Sequence, residues 1–128
     1  MRNEPAAPVA VTLPASAGSS ARARQVLAEA ASTWGLSPDV TDDAALVVTE
    51  LVSNAVDHAE GPVGLTVSRT ATGVRIEVAD NSPALPQPRP VQVDSARGRG
   101  LIIVEALSAS WGTEERDGGK VVWAELAG

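Results

Sequence analysis

The chain has no cysteine, which excludes a disulfide framework and any thiolate metal site, and which fits a reducing compartment. Phenylalanine and tyrosine are also missing, so tryptophan supplies the whole 2% aromatic content. A core must then be assembled from Val, Leu, Ile and Ala, a palette suited to β-branched strands under Ala- and Leu-rich helices. Basic residues are few: ten against sixteen acidic, scattered along the chain, for a net charge of −6. A nucleic-acid partner requires a basic face, so direct nucleic-acid binding drops out as a leading class. No apolar run approaches the ~20 residues of a membrane span. The start of the chain, with Glu4, Pro5 and Pro8, lacks an apolar signal core. No membrane association is expected, and the expected location is the cytoplasm.

What is present suffices for one domain. A chain of 128 residues, 44% apolar, is long enough to bury about two-thirds of its unfolded surface around a single core. Nine arginines against the single Lys120, together with abundant alanine, suit GC-rich bacterial coding.

Residues 1–8 read as a disordered terminus, and the domain as 9–128. Val9–Leu13 is β-branched and stopped by Pro14, the pattern of an edge strand. Ser19 and Ser20 offer N-caps to a helix whose apolar positions Ala23, Val26, Leu27, Ala30, Ala31 and Trp34 recur every three or four residues. Gly35 supplies its stop. Ser37-Pro38-Asp39 opens a second helix, ended by Glu60-Gly61-Pro62. Its stripe is Ala44, Val48, Leu51, Val52, Ala55 and Ala59. Glu50 and Asn54 flank that stripe, with Asp43, Asp57 and His58 on the same side.

Val63–Arg69 and Val74–Asp80 alternate around the turn Thr70-Ala71-Thr72-Gly73 and read as a hairpin. Residues 81–97, with Pro83, Pro86, Pro88 and Pro90, show no period and read as a lid. A third helix is expected over Gly98–Ser108. A second hairpin follows, Trp111–Arg116 and Lys120–Leu126, around Asp117-Gly118-Gly119. Helices in runs and strands in adjacent pairs define an α+β class: one mixed sheet with helices packed on one face.

Several positions offer chemistry. Glu50 and Asn54, four residues apart, are neighbours on a helix surface. An amide oxygen is a hard, neutral ligand of the kind Mg²⁺ takes beside phosphate oxygens and waters. A carboxylate one turn earlier can orient or deprotonate a nucleophile. Taken alone, such a pair is more often a solvated helix edge. Asp80 closes an apolar strand, where it can accept from the exocyclic amine of adenine or simply end the strand in an Asx turn. Arg97-Gly98-Arg99-Gly100-Leu101 opens the third helix. Its glycines admit close backbone approach to phosphate, and the arginines add positive charge. No Gly-Lys-Ser/Thr follows, so this is not a P-loop. His58 could serve as a phosphoacceptor or ligand and Lys120 could reach a phosphate, but a helix-end surface histidine and a turn lysine are the commoner cases, and the tryptophans read as core or partial core.

Each signal is weak singly; their order is not. ELVSNAVDHA, then VADNSP at a strand end, then GRGLIIVEALSASWG, then GGKVVWAEL resembles the GHKL ATPase superfamily over residues 9–126. The closest likeness is to the small stand-alone ATP-binding proteins typified by anti-sigma-factor serine/threonine kinases. The resemblance implies a Bergerat α/β two-layer sandwich that binds ATP with Mg²⁺. It implies Glu50 as general base and Asn54 as magnesium ligand. It further implies Asp80 as the adenine-binding acid, and Asp57, Arg97, Gly98, Arg99, Gly100 and Leu101 around the nucleotide. The implied partners are a sigma factor, an anti-sigma-factor antagonist protein, or both, with a second copy in a homodimer. One departure stands out. The superfamily pattern Asp-x-Gly-x-Gly is here Asp80-Asn81-Ser82-Pro83-Ala84, without either glycine. Two functions follow as expectations: a serine/threonine protein kinase, or a nucleotide-dependent docking module without turnover.

Overall fold

A computed structural model describes residues 7–58, 61–80, 102–116 and 118–128. The strands are β1 (Val9–Leu13), β2 (Val63–Arg69), β3 (Gly73–Asp80), β4 (Ser110–Arg116) and β5 (Gly119–Ala127). Helices α1 (Ser19–Trp34) and α2 (Pro38–His58) lie between β1 and β2. Residues 102–107 form a short helix, α3, ahead of β4. These elements fall where hydrophobic periodicity puts them. The expected lid and the stretch 98–101 lie outside the described residues, as do most of the expected disordered terminus and Ala59.

The strands form one sheet in the order β1-β2-β3-β5-β4. The α+β class is as expected, but among the described strands the sheet is not mixed, because every neighbouring pair is antiparallel. The reason lies in the last hairpin. β3 and β4 run in the same direction, but β5 folds back from β4 and inserts between them, so the two like-directed strands never touch.

Register decides which face is apolar. Leu65 pairs with Val78 and Val67 with Ile76, and these continue onto Val122 and Ala124 of β5. All of them point to the side covered by α1 and α2, because cross-strand partners share a face. Leu27 from α1 and Val48, Leu51 and Val52 from α2 close the cluster, each at most 1% exposed. The predicted α2 stripe is buried at Ala44, Val48, Leu51 and Val52, and Val40 and Val47 widen it.

Two helix ends show what local signals can and cannot specify. Gly35 terminates α1 in the left-handed region at φ 66°, and its N–H reaches the last-turn carbonyls. The start differs from expectation. Gly18 is the N-cap residue and makes no side-chain cap. The chain leaves β1 through Pro14 directly beneath the first turn, so Ser19 is buried and its hydroxyl donates to the Pro14 carbonyl instead. Ser20 is likewise taken up by tertiary contact, its Oγ 3.1 Å from Ser53 Oγ on α2.

The face away from the helices is held by charge. The Arg75 guanidinium lies 4.4 Å from the centroid of the Trp123 ring. It donates to Glu77 at 2.8 Å and to Glu125 at 2.6 Å. Arg116 donates to Glu77 at 3.1 Å and also to Glu114. Gly112 leaves room for the indole: a Cβ there would come within 3.2 Å of the Trp123 ring.

Burial by itself would raise the Glu77 carboxyl, but hydrogen bonds and charge from Arg75 and Arg116 outweigh it and hold the group below its ordinary value of 4.5. A carboxyl depressed in the folded state binds its proton more readily when unfolded. The pairing therefore adds stability above the unfolded pKa and loses it as pH falls through the folded one. Glu77→Gln is expected to lower the melting temperature at neutral pH and to matter progressively less toward about pH 3. Melts of both proteins across that range check this, and a constant difference would contradict it.

Candidate functional site

The C-terminal half of α2 does not seal against the far end of the sheet. There the covering residues are short: Ala55 on α2 faces Val78 on β3 and Val122 on β5, and a cavity of about 280 Å³ remains. Leu51 and Trp111 complete its apolar wall, and Asn54, His58, Asp80, Thr113 and Lys120 supply its polar groups. An apolar slot with a few convergent polar groups is the usual form of a small-molecule site.

Each polar group arrives by a traceable route. Asp80 is the last residue of β3, on the helix-covered face, and is only 8% exposed. Lys120 reaches the same end of the slot because it pairs with Asp80 across the β3–β5 ladder. Trp111 and Thr113 alternate along β4, opposite Ala124 and Val122. Asn54 and His58 lie one turn apart on α2 and border the cavity from the helix side.

Asn54 and Asp80, expected from their local patterns to belong to one site, do line one cavity. Glu50 is half-buried one turn before Asn54 but is not part of the cavity wall, and Asp57 is exposed and also lies off it. The separation follows from helix geometry. Four residues advance a helix about 40° beyond one full turn, and here that rotation carries Asn54 toward the apolar stripe while Glu50 stays behind it. Arg97, Gly98, Arg99, Gly100 and Leu101 lie outside the described residues.

His58, Trp111, Thr113 and Lys120 enter the site although their sequence context reads as surface, core or turn. Strand register is what sets Lys120 beside Asp80. Once β5 is laid beside β3, it falls opposite Asp80.

The donors around the cavity limit how a divalent cation could be held. The described residues contain no cluster of three or more His, Cys, Asp or Glu suited to an all-protein cage. The Asn54 amide oxygen on the cavity wall is a hard neutral donor, which fits Mg²⁺ held partly by substrate phosphates and waters. Among the described residues, no helix is long and apolar enough to cross a membrane.

Comparison with known proteins agrees with this architecture. The uncharacterized protein SCO4941 of Streptomyces coelicolor is 33% identical over 86 residues, covering 63% of this chain and 82% of that protein. The crystal structure of the RsbU and RsbW domains of Rv1364c from Mycobacterium tuberculosis superposes with a TM-score of 0.72 at 23% identity. That match takes in 97% of this chain but 34% of the solved one, so the chain spans about a third of that protein's length. At this identity the likeness concerns the fold. The family model for the histidine kinase-like ATPase domain matches residues 13–126, nearly the whole chain. The chain belongs to the histidine kinase-like ATPase domain family, the GHKL group that its motifs resemble.

Proposed function

We propose that this protein is an Mg-ATP-binding regulator, a serine/threonine protein kinase like those that act as anti-sigma factors, whose substrate is a small antagonist protein. The observation that carries the nucleotide reading is the convergence of Asn54 and Asp80 on one apolar cavity. A purine fits between apolar walls such as Leu51, Val78 and Val122. The Asp80 carboxylate accepts from its exocyclic amine, and a 6-keto purine offers no donor at that position. Bound with the nucleotide and held by Asn54, Mg²⁺ would neutralise charge on the phosphates.

In the transfer step, a serine or threonine hydroxyl oxygen of the antagonist forms a bond to the γ-phosphorus. The bond from that phosphorus to the β,γ-bridging oxygen breaks, ADP leaves, and Glu50 takes the hydroxyl proton. Glu50 stands one turn from Asn54, off the base cavity, which suits a group working at the phosphate end. Positioning and charge stabilisation account for most of the rate in such chemistry. The partners in this reading are the antagonist and a sigma factor, with a second copy of this chain as dimer mate, in a cytoplasmic setting. A docking module without turnover is the second reading. The missing glycines after Asp80 favour it, since they weaken close backbone approach to the base.

The test has two stages. Trp111 lines the cavity, so in a protein carrying Trp34→Phe and Trp123→Phe its fluorescence is expected to change saturably as Mg-ATP is added. Protein captured from cells with this chain is then incubated with γ-labelled ATP. Label on serine or threonine that disappears in Glu50→Ala supports the kinase. Saturable ATP binding without any transfer supports the docking module, and no binding at all removes both.

A further inference from the structure

Lys120 has no role in the reading above, yet it stands at the polar end of the cavity. It is the first strand partner of Asp80: β3 ends on one and β5 begins near the other, and the ladder pairs them directly. Antiparallel partners place their Cβ atoms about 5 Å apart on the same face. Both side chains line the cavity, with Val78 and Val122, the next residues on that face, beneath them. The slot therefore ends in an acceptor and a cationic donor side by side.

A purine edge presents this pattern in complement. Adenine carries a donor, the exocyclic N6 amine, beside an acceptor, ring nitrogen N1. Guanine carries the reverse order at the same two atoms, the O6 acceptor beside the N1–H donor. Resting on the nucleotide-site reading, we propose that Lys120 is a second base-reading residue: its ammonium donates to adenine N1 while Asp80 accepts from N6. Guanine in the same pose sets O6 against the carboxylate and N1–H against the ammonium. Matching both contacts would require the base to turn over, away from a sugar and phosphates anchored toward Asn54. The discrimination thus comes from a mismatch at two adjacent atoms in a low-dielectric slot, where unmade hydrogen bonds are costly.

The experiment is a chemical double-mutant cycle on the full chain. ATP and 1-deaza-ATP, in which N1 is replaced by C–H, are titrated by calorimetry into wild type, Lys120→Met and Lys120→Arg. Wild type is expected to bind ATP about tenfold or more tightly than 1-deaza-ATP, the effect of one hydrogen bond to a charged group. In Lys120→Met the ratio is expected to fall to about one, and in Lys120→Arg, which keeps a donor, to survive in large part. GTP is expected to gain on ATP in Lys120→Met alone. An unchanged ratio in Lys120→Met overturns the assignment. So does a loss of affinity that is equal for ATP and 1-deaza-ATP but absent for adenosine, which would make Lys120 a phosphate ligand. Wild type that binds neither nucleotide fails differently, because it overturns the nucleotide reading itself. Thermal melts of the variants confirm that each is folded.

Discussion

Replacing Asp80 by alanine is expected to weaken Mg-ATP binding by about ten- to a hundredfold, the effect of losing a hydrogen bond to a charged acceptor of about 1.5–3 kcal/mol. The size follows from where the carboxylate stands. At 8% exposure, against Val78 and Val122, it has little water to compete with a ligand. An adenine amine brought there without its acceptor would lose its hydration and gain nothing in return. Asp80→Asn should fall between, since an amide keeps one oxygen acceptor but loses the charge. Calorimetric Kd values for ATP in the three proteins, with a melt of each, decide the matter. Unaltered affinity in Asp80→Ala would remove Asp80 from the site.

Leu27→Ala is expected to cost about 2–5 kcal/mol, a large share of the ~5–15 kcal/mol that holds a domain together. The melting temperature should fall on the order of 10 °C. Leu27 is fully buried where α1 meets α2 and the sheet. Its surroundings cannot collapse into the vacancy. Ala23, Ala30 and Ala44 have no side chain to move, and the valines of α2 and the sheet are restricted at χ1. Leu46→Ala makes the contrast, because Leu46 is 53% exposed and should change stability by about half a kcal/mol or less. Urea melts of both variants provide the measurement. A Leu27→Ala cost no greater than that of Leu46→Ala would mean that Leu27 is not part of the tightly packed core.

Much of this architecture was legible in the residues because its determinants are local. β1 and β2 begin and end where alternation and the neighbouring prolines and glycine say they should, and α1 spans Ser19–Trp34 as its three- and four-residue steps require. Asn54 and Asp80, each more often a bland helix-edge or strand-end residue when taken alone, are singled out because the order of the surrounding motifs resembles the family, and both line one cavity. Long-range order was harder to read. The antiparallel sheet follows from β5 entering between β3 and β4, a choice made by packing between distant segments. Ser19 and Ser20 have good N-cap chemistry, but tertiary partners at Pro14 and Ser53 claim their hydroxyls first. Lys120 beside two glycines looks like a turn lysine, and only its pairing with Asp80, forty positions earlier by numbering, gives it a ligand-facing position. Glu50 and Asn54 are neighbours on the helix surface, but the roughly 40° by which four residues overshoot a full turn leaves only Asn54 on the cavity wall.

The strand order has a consequence for how the protein comes into being. Among the described strands, β4 has no hydrogen-bonded neighbour other than β5, and β5 is the later of the two along the chain. While the polypeptide emerges from the ribosome, β1, β2, β3 and the two long helices can assemble, but β4 must wait with both edges bare. Lys120 and Val122 arrive only with β5, so the cavity acquires this wall after β4 has already been made. A nascent chain halted before that point would hold Asn54 and Asp80 in place and still have no pocket to close around a ligand. Competence to bind is thereby tied to the translation of the β4–β5 hairpin.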